Sequence, residues 1–404
     1  MKKKPLIFLF SIILAFSCLC IIWNLDNDDG QIPRIYLEGD ISAMETKEDV
    51  RSIRIRYEDG RNSFRGHAEL KIQGMTSVAY DKKNYTIKLF KDAKHNNKLK
   101  VNFGWGSENK YCLKANWVDK THARNIVTAN LYTDIQNKYG VLNTAPANGA
   151  TDGFPVEVYD NGTFLGLYTL NIPRDAWMYA MERNNPNHIA VCAEDWYPAN
   201  LFEEMPDFTS WAIENGTPDE QTLDKLNVLF DFVINSSDEE FRDRFEDYID
   251  LDAALNYYVL SDFAYLRDNR AKNMVMVTYD GVKWYPVLYD LDTSWGVRWN
   301  GLEVMDYENT PFYMEICRLW ARLRKCFPNE LAERYFELRE DLLTKESIMA
   351  RFEEFRAKIP EDVFEKEALR WGDEIPGFGY DQIDEYLNRV TPGLDKKYTF
   401  LRNK

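Results

Sequence analysis

Asp268, Asn273, Asp290 and Asp292 are the side chains whose types and spacing could do chemistry. They flank a stretch that reads as a β-hairpin, Met274–Thr278 and Trp284–Leu288, turned at Asp280-Gly281. The two ends of a hairpin lie side by side, so LRDNRAKN (266–273) and YDLDTSWG (289–296) are delivered to one place. Three carboxylates and an amide gathered there repel one another unless a cation lies between them. A hard divalent ion with oxygen ligands fits best: Mg²⁺ or Mn²⁺, with Ca²⁺ as a further candidate. An Asp and an Asn five apart are common, and an Asp in a loop is ordinarily a cap or turn former. The hairpin and the D-L-D that follows it set this pair apart.

The spacing is that of a phosphoryl-transfer loop. Asp268 to Asn273 is D-x-x-x-x-N, with Arg267 before the Asp and Leu266 where such loops carry His. Asp290-Leu291 stands one hairpin later, where a metal-binding D-F would stand. In that chemistry one Asp orients the acceptor hydroxyl, while the Asn and the second Asp hold Mg²⁺ against a triphosphate. A lysine on an earlier strand must meet the phosphates. YTIKLF offers Lys88, with Lys82 and Lys83 as nearby alternatives. Upstream, Gly74 followed by Thr76 and Ser77 could present N–H and hydroxyl groups to phosphate, although neither G-x-G-x-x-G nor a Walker A sequence is present.

The elements that must position these groups fall into two halves. Ile35–Leu37, Ile53–Tyr57, Ala68–Ile72, Tyr85–Phe90 and Tyr111–Ala115 alternate with period two, as strands do. Thr121–Tyr139 carries a helical stripe with Gly140 at its end. FPVEVYDNGTFLGLYTL reads as a hairpin turned at Asn161-Gly162. Polar, Pro-bearing sequence from 184 to 200 suits a boundary. Beyond it helices dominate, at about 219–235, 251–265, 329–342, 345–357 and 380–390. The expected fold class is α+β: a β-rich N-lobe over about 30–185 and a helical C-lobe over about 186–404.

The first residues read as a membrane signal. Lys2–Lys4 precede 19 uncharged residues, Pro5–Trp23, which as a helix would span about 28 Å. Positive charge ahead of the span puts residues 30–404 outside the cytoplasm on a single-pass anchor occupying 1–29. A cleaved signal peptide and a lipid anchor at Cys18 are the alternatives; all three export the domain. The net charge of −16 and pI near 4.9 argue against nucleic-acid binding. Cys112, Cys192, Cys317 and Cys326 show no metal-ligand spacing and read as free buried thiols.

Several blocks together resemble one family. IQGMTSVAYDKKNYTIKLF is similar to the "RGNSS…K-K-x-Y-x-I-K" block of the CotH-type spore coat protein kinases, with Gln73 where that block has Arg. LKANWVDKTHARN resembles its "L-x-A-x-W-x-D-x-T-x-x-R-N" block, and FPVEVYDNGTFLGLYTL its "V-x-V-Y-x-N-G-x-Y-x-G-x-Y-x-L" block. RDNRAKN and YDLDTSWG resemble its catalytic and metal segments. The resemblance spans 64 to about 300. It implies an atypical protein-kinase-like two-lobed fold that moves the γ-phosphate of ATP to Ser or Thr of a secreted, surface or coat protein. By position Asp268 would be catalytic. Asn273, Asp290 and Asp292 would hold metal. Lys88, Gly74, Thr76, Ser77, Lys83 and Arg124 would meet the nucleotide. Asp134 is the only carboxylate on helix 121–139, so no Glu there could pair with Lys88. Two other readings remain. One is a non-catalytic coat or surface scaffold. The other is a carbohydrate enzyme or binding module, for which Trp105, Trp295 and Trp299 are candidate platforms.

Overall fold

The computed structural model describes residues 31–302, 313–372 and 379–403. In chain order its strands and helices are β1 (Arg34–Glu38), β2 (Val50–Glu58), β3 (Ser63–Gln73), β4 (Asn84–Phe90), β5 (Val101–Asn102), β6 (Ser107–Glu108), β7 (Lys110–Lys114), α1 (Arg124–Lys138), β8 (Gly153–Asp160), β9 (Thr163–Asn171), β10 (Ile189–Ala193), β11 (Trp211–Asn215), α2 (Glu220–Asn235), α3 (Asp238–Tyr248), α4 (Leu251–Phe263), β12 (Met274–Thr278), β13 (Trp284–Leu288), α5 (Arg318–Cys326), α6 (Pro328–Arg339), α7 (Lys345–Ala357), α8 (Glu361–Trp371) and α9 (Tyr380–Arg402). The chain is thus mixed α+β, β-rich in its first part and helical in its second. The apolar run at 5–23 lies outside the described residues. Among those described, no helix is long and apolar enough to cross a membrane.

Period-two alternation builds a closed barrel. Its strands run β1-β2-β3-β4-β7-β9-β8, and a parallel pairing of β1 with β8 closes it. Closure removes the unpaired edges that an open sheet of this length would expose. The inward residues form one core, including Ile53, Ile55, Leu70, Ile87, Leu113 and Val156. Asn161 and Gly162 both take positive φ, 47° and 83°, as the turn between β8 and β9 requires.

The second core gathers α1–α7, α9 and the start of α8, through Val363, around a four-stranded sheet, β11-β10-β12-β13. The expected hairpin is β12–β13, in register from Met274↔Leu288 to Thr278↔Trp284. The stretch read as a boundary contains β10, whose five residues IAVCA are all buried. The lobe division near 185 is crossed twice. Helix α1 precedes it in sequence, yet Ile126, Leu131, Tyr132 and Ile135 pack in the second core. Helix α8 comes near the end of the chain, yet it lies against β9 of the barrel. All four described cysteines are free and buried.

Candidate active site at the hairpin base

The open end of the β12–β13 hairpin is held from two sides. Asn273 precedes β12, Asp290 follows β13, and both adopt left-handed backbone, φ 57° and 60°. Asn and Asp are the side chains that tolerate this conformation best after Gly. The Asn273 N–H donates to Ala193 O at 2.9 Å, anchoring it on β10. Asn269 Nδ2 donates to Tyr289 O at 2.8 Å and ties the 266–273 loop to the 289–296 segment. From the other side α1 turns polar residues inward. Asn125 Oδ1 accepts the Leu291 N–H at 3.0 Å, and Trp295 Nε1 donates to Thr128 Oγ1 at 2.8 Å. Ser294 Oγ, 3.1 Å from Thr128 Oγ1, donates to Leu291 O at 2.8 Å. These bonds fix the D-L-D-T-S-W backbone and so aim its carboxylates.

A cavity of about 520 Å³ opens here between the two cores. Asp268, Asn273, Asp290 and Asp292 line one wall; Gly74, Thr76 and Ser77 line another. Gly74 has φ 119°, and a Cβ there would lie 1.8 Å from Ser77 Oγ, so only Gly fits this turn. Lys47, Lys114 and Arg174 reach it from the barrel side, the last two beside Tyr289. Lys114 Nζ lies 3.8 Å from Asp290 Oδ1 and 5.8 Å from the Tyr289 ring centroid. Arg174 covers the same ring at 4.7 Å and pairs with Glu214 at 2.6 Å and Glu194 at 3.4 Å.

The carboxylates are under electrostatic tension. Burial, then the neighbouring charge of Asp290, pushes the Asp292 carboxyl up to about 8, against the pull of Lys114. Burial also raises Asp268, opposed by Lys272 and Arg267 and reinforced by Asp290. Burial works against the charge on Lys114, but Tyr289 and then Asp290 outweigh it and raise its pKa. Because the folded Asp292 holds its proton longer than the unfolded chain does, its contribution is full below about pH 4. It is then lost as pH rises through about 8. In metal-free buffer the melting temperatures of wild type and Asp292→Asn should therefore lie closest near pH 4 and separate as pH rises toward 8. By pH 9 wild type should melt several degrees lower, and Mn²⁺ should close the gap. A gap that stays constant with pH would count against this charge arrangement.

Do these residues fit a metal? Among the described residues no three His, Cys, Asp or Glu side chains converge as a ready-made metal cage. Mg²⁺ does not need one, since it keeps waters and is bound by one or two carboxylates plus substrate phosphates. An amide and a carboxylate at the hairpin base, backed by a carboxyl that burial and its neighbour hold protonated, form a donor set of that kind.

Lys88, Lys83 and Arg124 do not join the others. Lys88 lies between Ile87 and Leu89, which face the barrel core, so the pleat turns it outward, where it pairs with Glu69 at 2.8 Å. Lys83 Nζ donates to Val78 O at 2.8 Å and Tyr80 O at 2.5 Å, closing the turn that carries Thr76 and Ser77. Lys82 is buried against Glu367 at 2.6 Å. Arg124 is buried in contact with Asp119, whose carboxylate also accepts the Arg124 N–H at 2.8 Å and caps α1. Asp134, the acid of α1, pairs with Arg351 at 2.7 Å. Lys114 and Arg174 line the cavity and were not singled out from the sequence; Asn125, which closes the LKANWVDKTHARN block, lines it too. Lys114 had a signal: it ends a strand just before the Asn-Trp of LKANWVDK. Of the three tryptophans considered as sugar platforms, Trp295 is fully buried and Trp105 stacks on Phe154, leaving Trp299 at the cavity rim.

A family model described as CotH kinase protein matches residues 70–391, which includes every residue of this hairpin base and the Gly74 turn. A comparison with curated proteins finds no match.

Proposed function

The chain belongs to the CotH kinase protein family, and from that premise we propose that the cavity transfers the γ-phosphate of ATP to a Ser or Thr hydroxyl of a protein. The observation that carries this is the meeting of Asp268, Asn273, Asp290 and Asp292 with Lys114 and the Gly74 turn around one cavity. Asn273 and Asp290 would hold Mg²⁺ or Mn²⁺, with Asp292 behind them; when bound, the ion neutralises phosphate charge. Asp268 accepts the proton of the acceptor hydroxyl as its oxygen bonds to the γ-phosphorus, and the bond to the ADP oxygen breaks. Its raised affinity for protons suits that task. Lys114 and Arg174 meet phosphate oxygens, and the Gly74 turn covers them with N–H and hydroxyl groups. The acceptors would be proteins on the same side of the membrane as the domain, outside the cytoplasm, with residues 1–29 as its anchor.

Two measurements test this reading in sequence. ATP with Mn²⁺ should raise the melting temperature of the wild-type domain, and ³²P should then appear on Ser or Thr of co-expressed exported proteins. Stabilisation without transfer would support the scaffold reading. No stabilisation by any metal–nucleotide complex would end the phosphoryl-transfer reading.

A further inference from the structure

A second group of charges, which pairs Lys82 of the Gly74 block with Glu367 far along the chain on α8, sits where the barrel wall opens into the cavity. Strands β7 and β9 pair from Cys112↔Asn171 to Lys114↔Thr169 and then separate. The cause is local: Asn116 adopts φ 51° and leaves the strand direction. The backbone groups beyond the last pair therefore need other partners, since a buried unpaired N–H or C=O costs about 1–3 kcal/mol. Lys82 and Glu367 supply them. Lys82 Nζ donates to Ala115 O at 3.0 Å and Leu167 O at 2.5 Å. Glu367 Oε2 accepts the Leu167 N–H at 2.7 Å, and its Oε1 accepts Lys82 Nζ at 2.6 Å. Both side chains are buried. The seam they fill lies next to Lys114, and the Asn116, Trp117 and Val118 that follow it line the cavity.

The rest of α8 points the same way. Trp371 Nε1 donates to Leu165 O at 2.9 Å, and its ring packs edge-on against Trp117, centroids 5.7 Å apart. His122 Nε2 lies 3.8 Å from Glu367 Oε1. Burial and the charge of Lys82 hold His122 well below its usual pKa, so it stays neutral and leaves the pairing to Lys82. Asn84 Oδ1 takes the Ala115 N–H at 2.7 Å, and Asn84 Nδ2 donates to Ser77 Oγ at 3.1 Å, so the same seam also touches the Gly74 turn.

We propose that Glu367, acting through Lys82, is a positioning residue that wedges the β7–β9 seam and thereby sets where Lys114 stands in the cavity. The inference rests on the phosphoryl-transfer reading only for the consequence it has on nucleotide use; the placement of Lys114 can be read without turnover. The alternative is that Glu367 merely glues α8 to the barrel.

Glu367→Gln keeps the side-chain shape and an acceptor for Lys82 but cannot also accept the Leu167 N–H. Glu367→Ala is the harsher change, and Leu369→Ala, on an exposed position of the same helix, is the control. The KM and kcat for ATP·Mn²⁺ are measured, together with the rate at which an N-hydroxysuccinimide acetyl ester labels Lys114, read by mass spectrometry. Glu367→Gln should raise KM about tenfold with kcat changed less than about threefold, as small misplacements of a binding group do. Lys114 should label several-fold faster in Glu367→Gln, and Leu369→Ala should match wild type in both. A folded Glu367→Gln with a lower melting point but wild-type KM and Lys114 labelling would overturn the proposal. Should wild type show no nucleotide dependence, the kinase reading alone fails, and the Lys114 labelling still decides the wedge.

Discussion

Asp268→Asn should lower phosphoryl transfer about a thousandfold while leaving ATP·Mn²⁺ binding within about threefold of wild type, the pattern of a lost proton acceptor. The asymmetry follows from where Asp268 stands. It begins the short turn Asp268–Arg270 on the loop side of the hairpin, and its neighbours Arg267 and Lys272 partly offset the burial that raises its pKa. An amide there keeps the shape and the loop but takes no proton. Asp290→Ala is the contrasting change. Asp290 sits beside Lys114 and raises the proton affinity of Asp292, so its loss would remove both a proposed metal oxygen and the partner of a largely buried cation. Thermal stabilisation by ATP·Mn²⁺ should disappear in Asp290→Ala and persist in Asp268→Asn. Equal loss of stabilisation in both would mean that Asp268 binds rather than reacts, and the assigned division of labour would be wrong.

What could be read beforehand was whatever the chain encodes locally. The alternation in β2, β3 and β4 follows from one face packing in the barrel, and the hairpin β12–β13 follows from Asp-Gly between two apolar runs. Helix α3 was missed because DEEFRDRFEDY buries only Phe241 and Phe245, a stripe too thin to show periodicity. Its cap was nonetheless written in the sequence: Ser237 Oγ accepts the Glu240 N–H at 3.1 Å, and three acids open the helix. Helix α8 was missed for a different reason. Its buried face holds Glu367 between Val363 and Trp371: Val363 joins the second core, while Glu367 meets buried polar backbone of the barrel seam, and the acid breaks the apolar stripe. The acids of the site were legible because a hairpin makes its two ends neighbours whatever the rest of the fold does. The cation was not, because four lysines, at 82, 83, 88 and 114, all lie on or near strands. Which of them reaches the cavity depends on which way each points and which end of the barrel faces the second core.

That choice has a sharp consequence. Lys114→Met should lower kcat/KM for ATP about a hundredfold or more, chiefly through KM, since a cation that binds the phosphates in a largely buried position contributes several kcal/mol. Lys88→Met should change it less than about twofold: that side chain is 46% exposed and its bond to Glu69 is a surface pair, worth about 0–1 kcal/mol. The two lysines differ in stability as well. Lys114 is only 13% exposed and is the cation drawn up to Asp290, so its removal leaves Asp290 and Asp292 facing each other with less compensation. In metal-free buffer at pH 8 Lys114→Met should melt several degrees below wild type, and Mn²⁺ should recover most of the difference by supplying positive charge to the same carboxylates. At pH 5, where Asp292 keeps its proton, the loss should shrink. A Lys88→Met variant that loses activity while Lys114→Met keeps it would reverse the assignment and place the phosphates outside the cavity.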